Sequence, residues 1–207
     1  MKAATVAFES GADGVFLINQ GVSQAETVAL VGAVKHKFPQ AWVGLNLLSV
    51  SLCGVLEKSY GSEWTIPDGI WTDGTDTGEM EAFAVKKKGC GWGGLVFGGV
   101  AFKYQKEVPR LNQGEFAVHA AESGVDVVTT SGPETGVAAD LDKVLRFRAA
   151  LQNRPLALAS GITCENVEQY LPYVDAYLVA TGIETSFGVL DPVRTKRLSE
   201  LIHEYSV

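Results

Sequence analysis

Long apolar runs, paired cysteines and an excess of basic residues are all missing from this 207-residue sequence, and each gap closes off a class of function. No stretch reaches the roughly 18 consecutive apolar residues that a spanning helix needs, and Met1 to Ser10 lacks the apolar core of a secretion signal. The three cysteines, Cys53, Cys90 and Cys164, are far apart and form no CxxC. They imply no disulfide framework, and a reducing cytoplasm is expected. Seventeen Lys and Arg stand against 24 Asp and Glu, a net charge of −7, so no basic face is available to neutralise nucleic-acid phosphates. The Gly-rich pieces make neither a Walker A loop nor a dinucleotide-binding fingerprint. His36, His119 and His203 all fall in predicted helices, which argues against a His-based triad or zinc site.

What is present is core material: 46% of the residues are hydrophobic and 20% charged, enough for one globular domain over residues 1–207. Helical and strand-like segments alternate, the signature of an α/β fold. Helices are predicted near 2–10, 23–38, 51–59, 79–88, 114–123, 140–152 and 191–204, with Ser23 and Glu26 forming a capping box. Strands are predicted near 14–18, 42–48, 69–73, 95–100, 125–130, 155–159 and 176–180. A repeat underlies them. Asp13, Asp68, Asp126 and Asp175 each precede a strand, successive members lying 55, 58 and 49 residues apart, about two βα units each time. That even spacing favours a TIM-type (β/α)8 barrel over an open doubly wound sheet. Seven parallel strands are counted, and one further step back would place an eighth before Met1, so a barrel lacking its first strand is expected. Its edges would then be unpaired, which favours self-association into a homo-oligomer.

In a parallel barrel the chemistry sits at the carboxyl ends of the strands. Those ends offer Asn46, Asp73, Lys103, Ser131 and Glu134, a polar ring capable of acid/base work. Lys103 follows an apolar strand, where burial could lower its pKa for use as base or Schiff-base amine, although an anion-gripping or surface lysine fits equally. Asp73 and Asp76 could hold a hard cation, but both are ordinary turn residues, and no metal is assigned. No motif specifies a cofactor. The last two strands end in Ser160-Gly161-Ile162 and Thr181-Gly182-Ile183. Glycine loops of that kind let backbone N–H groups approach a phosphate, and a helix is expected after each to add its dipole.

Ser131 to Gly136, Ala159-Ser-Gly-Ile-Thr-Cys-Glu-Asn-Val167 and Val174-Asp-Ala-Tyr-Leu-Val-Ala-Thr-Gly182 resemble the C-terminal half of the BtpA family of ribulose-phosphate-binding barrels. Gly11-Ala-Asp-Gly-Val15 and Val43-Gly-Leu-Asn-Leu47 are similar to its second and third strands. The resemblance implies a TIM-type barrel with a phosphate-like site at Ser160, Gly161, Thr181 and Gly182. The chain departs from the family in Phe102-Lys103-Tyr104, where the family flanks its lysine with histidine, and in having Asp73 at an asparagine position.

Residues and resemblance together lead to the expectation of a protein that binds a small phosphorylated metabolite, a sugar phosphate or nucleotide derivative. The expected chemistry is that of an isomerase, lyase or nucleosidase. The competing expectation is a non-catalytic assembly or regulatory protein that uses a degenerate barrel to bind other proteins.

Overall fold

Parallel pairing runs without a break through seven strands in the computed structural model, which describes residues 1–60 and 66–205. The strands are β1 (Gly14–Ile18), β2 (Trp42–Asn46), β3 (Gly69–Thr72), β4 (Leu95–Gly99), β5 (Val127–Ser131), β6 (Leu156–Ala159) and β7 (Ala176–Leu178). They lie in the sheet in chain order, each hydrogen-bonded to the next. That order has no reversal point, so the sheet curls as a barrel wall, as the Asp spacing predicts. Helices α1 (Lys2–Glu9), α2 (Gln24–Lys37), α3 (Leu52–Ser59), α4 (Thr77–Cys90), α5 (Gln113–Glu122), α6 (Leu141–Leu151) and α7 (Pro192–Tyr205) accompany the strands. Among the described residues, no helix is long and apolar enough to cross a membrane.

Local chemistry explains the helix boundaries. Ser23 accepts from the Glu26 N–H at 3.2 Å while the Ser23 N–H donates to the Glu26 carboxylate at 3.1 Å, the reciprocal pair that closes the first turn of α2. Asp76 and Asp140 cap α4 and α6 by side-chain acceptance alone, Asp76 from the N–H groups of Gly78 and Glu79 and Asp140 from that of Asp142. The glycine cluster 89–94 ends α4 with left-handed Gly91 and turns into β4. It joins a helix to a strand, the reverse of the strand-to-helix context that a dinucleotide loop needs.

Two apolar layers follow from strand alternation. Residues facing outward, such as Val43, Leu45, Ile70, Val96, Val128, Leu156 and Leu158, pack under the helices in one continuous core. Those facing inward, Phe16, Trp42, Trp71, Phe97, Val127, Ala157, Ala176 and Leu178, form a second cluster. Phe16 holds the second cluster together through edge-on contacts with Trp42, Trp71 and Phe97 at centroid separations of 5.0 to 5.6 Å.

The repeated aspartates do one shared job at the amino end of the sheet. Asp68, Asp126 and Asp175 accept the backbone N–H of Val43, Val96 and Leu156, each at 2.8 Å. Each also meets a cation from the helix before that strand: Lys35, Lys87 or Arg148. The carboxylate before β3, β5 and β7 thus satisfies a donor at the start of the preceding even-numbered strand, a group that would otherwise be buried unpaired.

Two expectations fail here. No α-helix follows Gly161; residues Val167–Gln169 make a single 3-10 turn. Asn166 turns back to accept from the Thr163 N–H and donate to the Gly161 carbonyl, and the Tyr170 hydroxyl is tied to the Ala139 carbonyl at 2.6 Å. With Pro172 two residues on, a helix cannot propagate. After β7 the chain makes a 3-10 turn (Thr181–Ile183) and then a small antiparallel hairpin, β8 (Glu184–Ser186) and β9 (Val189–Leu190), before α7. Neither glycine loop therefore receives the axial dipole of a following helix.

Candidate active site at the carboxyl ends of the strands

The parallel sheet brings its polar strand ends to one mouth. Asn19, just after β1, accepts from the Leu48 N–H at 2.6 Å and so ties the first two loops together. Asn46 ends β2, is 3% exposed, and donates from its amide to Asp73 at 3.4 Å. Asp73 follows β3, and Lys103 emerges from the loop after β4. Phe102 and Trp71, 5.9 Å apart edge-on, form the apolar floor beneath them. The Trp71 indole N–H is buried and has no partner among the described residues, leaving a donor inside the barrel.

Lys103 is the hub. Its backbone N–H donates to the Ser131 hydroxyl at 2.8 Å, which fixes the loop on the end of β5. Its ammonium donates to the Ser160 hydroxyl at the end of β6. Burial pulls its pKa below the ordinary lysine value, while the Asp73 carboxylate and the Tyr104 hydroxyl act in the opposite direction. Burial likewise raises the Asp73 carboxyl above its ordinary value, against the Asn46 hydrogen bond and the Lys103 charge. Each group feels the other, so one mouth holds a weakened carboxylic acid beside a strengthened ammonium acid.

Backbone strain concentrates at the same end. Of the five non-glycine residues with positive φ among the described residues, four lie in these loops: Ser49, Ala101, Tyr104 and Ser160. A left-handed residue bearing a side chain costs about 1 kcal/mol or more, and such residues gather where a site over-determines them.

The two glycine loops meet here as the sequence predicts, but close packing explains the glycines. A Cβ on Gly161 would stand 2.2 Å from the Ala138 nitrogen, and one on Gly182 would stand 1.8 Å from the Ile162 carbonyl oxygen. The loops after β5, β6 and β7 are therefore stacked backbone on backbone, each fitting only if the next has no side chain at the contact. Within that stack the N–H groups of Gly161 and Ile162 donate to no protein acceptor among the described residues. The Ser160 hydroxyl, which accepts from the Lys103 ammonium, adjoins them in the chain, and an anion can be held by donors of these kinds without a helix dipole.

The structure separates other candidates from this group. Glu134 is exposed on the rim beside Tyr104, away from the Lys103 and Asp73 pair. Thr181 is exposed under the loop that carries Gly136. Asp76 is occupied as a helix cap, accepting from the N–H groups of Gly78 and Glu79 at 3.0 and 3.2 Å. Among the described residues, no three His, Cys, Asp or Glu side chains gather to hold a metal ion. Sequence reasoning also missed Lys143 of α6. Its ammonium donates to the Ala101 and Ser131 carbonyls at 2.6 and 2.8 Å, and burial pulls its pKa down to about 8. It clamps the ends of β4 and β5 from behind and so braces the strained turn that presents Lys103.

The class of fold is that of parallel (β/α) barrels, and comparison with known proteins bears this out. The structure is similar to phosphoribosyl anthranilate isomerase from Thermus thermophilus, with a TM-score of 0.72 at 19% identity over 97% of this chain and 92% of that one. A phosphoribosyl anthranilate isomerase solved in complex with reduced 1-(o-carboxyphenylamino)-1-deoxyribulose 5-phosphate gives 0.71 at 18% identity over the same shares. In sequence, 74 residues are 39% identical to N-(5'-phosphoribosyl)anthranilate isomerase of Geobacillus thermodenitrificans, a match spanning 34% of this chain and 33% of that protein. No family model matches the chain.

Proposed function

We propose that this chain is an isomerase of a phosphorylated pentose derivative, built as a single catalytic domain. The observation that carries the reading is the position of Lys103, with its ammonium on Ser160 of the phosphate-type loop and its charge coupled to Asp73. An aldose-to-ketose isomerisation moves one hydrogen from C2 to C1 without net oxidation. It needs a base that takes the C2 proton and delivers it to C1, and an acid that holds the charge developing on oxygen. A carboxylate with a raised pKa is a better base, and an ammonium with a lowered pKa is a better acid. Asp73 fits the first role and Lys103 the second, with Asn46 orienting the carboxylate. Ser160, Gly161 and Ile162, with Ser131 and Gly182 around them, hold the phosphate, and Thr181 lies outside that group. Glu134 closes the rim.

The likeness to the BtpA family and the similarity to phosphoribosyl anthranilate isomerases support the same substrate class, a ribulose-type phosphate. The aromatic floor of Trp71 and Phe102 suits a flat group on the sugar, which makes N-(5'-phosphoribosyl)anthranilate the first substrate to try. The test is chromatographic conversion of that compound and of ribose 5-phosphate, with calorimetry against both and against inorganic phosphate. Conversion by the wild-type protein and its loss in Lys103→Met are expected. No conversion, together with no heat from any phosphate compound, overturns the reading.

A further inference from the structure

Two serines stand beside Lys103, and they are held differently. Ser131 is fully buried, accepts from the Lys103 backbone N–H and donates to the Gly132 carbonyl, both at 2.8 Å. Its hydroxyl is spent on fixing the loop. Ser160 is part-exposed, and among the described residues its hydroxyl has one partner, the Lys103 side-chain nitrogen. That nitrogen makes no ion pair with a carboxylate among the described residues. A reachable hydroxyl and a lysine nitrogen are therefore paired with each other alone.

The backbone presents Ser160 as a nucleophile is presented. Ser160 follows β6 directly and is left-handed, with φ 71°, and Gly161 continues at φ 68°. A serine on a sharp, strained turn at the carboxyl end of a parallel strand is the arrangement that exposes the attacking hydroxyl in strand-to-helix serine hydrolases. In such turns the N–H of the next residue holds the developing oxyanion. Here the next residue is Gly161, whose N–H has no protein acceptor among the described residues. Burial pulls Lys103 below the ordinary lysine value, against the Asp73 carboxylate and the Tyr104 hydroxyl, so its neutral form, which can take a serine proton, is reached at lower pH than in a free lysine. The Phe102 ring centroid lies 5.7 Å from the Lys103 nitrogen, and Trp71 stands edge-on to that ring. An uncharged apolar acyl group suits this floor.

We propose that Ser160 and Lys103 form a nucleophile and base pair that hydrolyses esters of uncharged apolar carboxylic acids through an acyl-serine. The Ser160 oxygen bonds to the ester carbonyl carbon as its proton passes to the neutral Lys103 amine, and the carbonyl electron pair moves to oxygen, where the Gly161 N–H holds it. The pair then returns, the bond to the alcohol oxygen breaks, and the Lys103 ammonium gives its proton to the departing alcohol. Water repeats the sequence on the acyl-serine: its oxygen bonds to the carbonyl carbon, its proton passes through Lys103 to the Ser160 oxygen, and the acid leaves. This activity does not rest on the isomerase reading. It uses the lysine without its proton, whereas the isomerisation uses the ammonium, so the two run in opposite directions with pH at one group.

The test exposes the whole 207-residue protein to an alkyl fluorophosphonate, which bonds to an activated serine oxygen with loss of fluoride, and maps the adduct by peptide mass spectrometry. The label is expected on Ser160 and absent from Ser160→Gly, a variant that folds because glycine suits the left-handed backbone. Lys103→Arg keeps a charge beside Ser160 but cannot give up its proton, and it slows labelling about 100-fold or more, the scale of a lost general base. The wild-type labelling rate rises with pH as Lys103 deprotonates, at a midpoint below the ordinary lysine value. Asp73 from the end of β3 and the neighbouring Tyr104 are the groups that oppose that shift, so Asp73→Asn lowers the midpoint further. With p-nitrophenyl butyrate, wild type gives a burst of p-nitrophenolate followed by turnover, and Ser160→Gly gives neither. Absence of label, a label on another residue in place of Ser160, equal labelling of Lys103→Arg, or ester turnover that survives Ser160→Gly would each overturn the proposal. A labelled Ser160 in a protein that converts no sugar phosphate upholds it and removes the isomerase reading alone.

Discussion

Replacing Asp126 by alanine isolates what a ring aspartate contributes to stability. Asp126 accepts from the Val96 N–H at 2.8 Å and pairs with Lys87 at 3.1 Å. Val96 is fully buried, so no water replaces the lost acceptor, and an unsatisfied buried donor costs about 1–3 kcal/mol. The ion pair is part-exposed on both sides and adds about 0.5 kcal/mol; Lys87 keeps its position over the Trp92 ring, 5.2 Å from the centroid. The loss from Asp126→Ala is then about 1.5–3.5 kcal/mol. At this chain length that lowers Tm by about 3–14 °C. Asp126→Asn retains an oxygen acceptor and loses the charge alone, so its cost is about 0.5–1 kcal/mol. Asp13→Ala, with no strand N–H to orphan, stays within about 0.5 kcal/mol of wild type. Urea denaturation of the four proteins, with m-values compared, gives the ladder directly. If Asp126→Ala and Asp13→Ala cost the same, or if Asp126→Asn costs as much as the alanine, the N–H capping account is refuted.

Lys103→Met abolishes turnover while the far-ultraviolet circular dichroism spectrum and Tm stay near wild type; survival of activity refutes the acid role. The wild-type rate against pH is a bell. It rises as Asp73 deprotonates above the ordinary carboxylate range and falls as Lys103 deprotonates below the ordinary lysine range, and Asp73→Asn removes the rising limb. The folded Lys143 gives up its proton at about 8, whereas the unfolded one holds it to 10.5. Between those values the unfolded chain binds more protons, so unfolding free energy rises with pH across that window, and Lys143→Met loses the rise in denaturant titrations. Gly182→Ala drives a Cβ to within 1.8 Å of the Ile162 carbonyl and lowers Tm sharply, so a loss of phosphate affinity in this variant accompanies a loss of structure; an unchanged Tm contradicts the stacked-loop packing.

What the sequence disclosed is what repeats or what is local. Apolar runs bounded by glycine located the strands, Ser23 with Glu26 located a helix start, and the spacing of Asp13, Asp68, Asp126 and Asp175 indicated a curled rather than a reversing sheet. The aspartates' shared job was hidden, because each N–H they accept lies 19 to 30 residues back in the chain, a contact that exists only once the strands pair. Lys143 was hidden for the same reason: a lysine on an amphipathic helix reads as solvated, and its carbonyl partners at Ala101 and Ser131 become its neighbours only when α6 docks. The helix expected after Gly161 failed because the Asn166 and Tyr170 side chains bind the loops around them in preference to continuing the turn. Glu134 lies on the rim beside Tyr104 because strand position fixes which loop a residue occupies but not whether that loop bends inward or out to the rim. Lys103 and Asp73 were legible because both sit within a few residues of a buried strand end, where the backbone alone brings a side chain over the mouth. The period of the fold therefore determined which residues could meet, and side-chain reach across loops of unequal length determined which of them did.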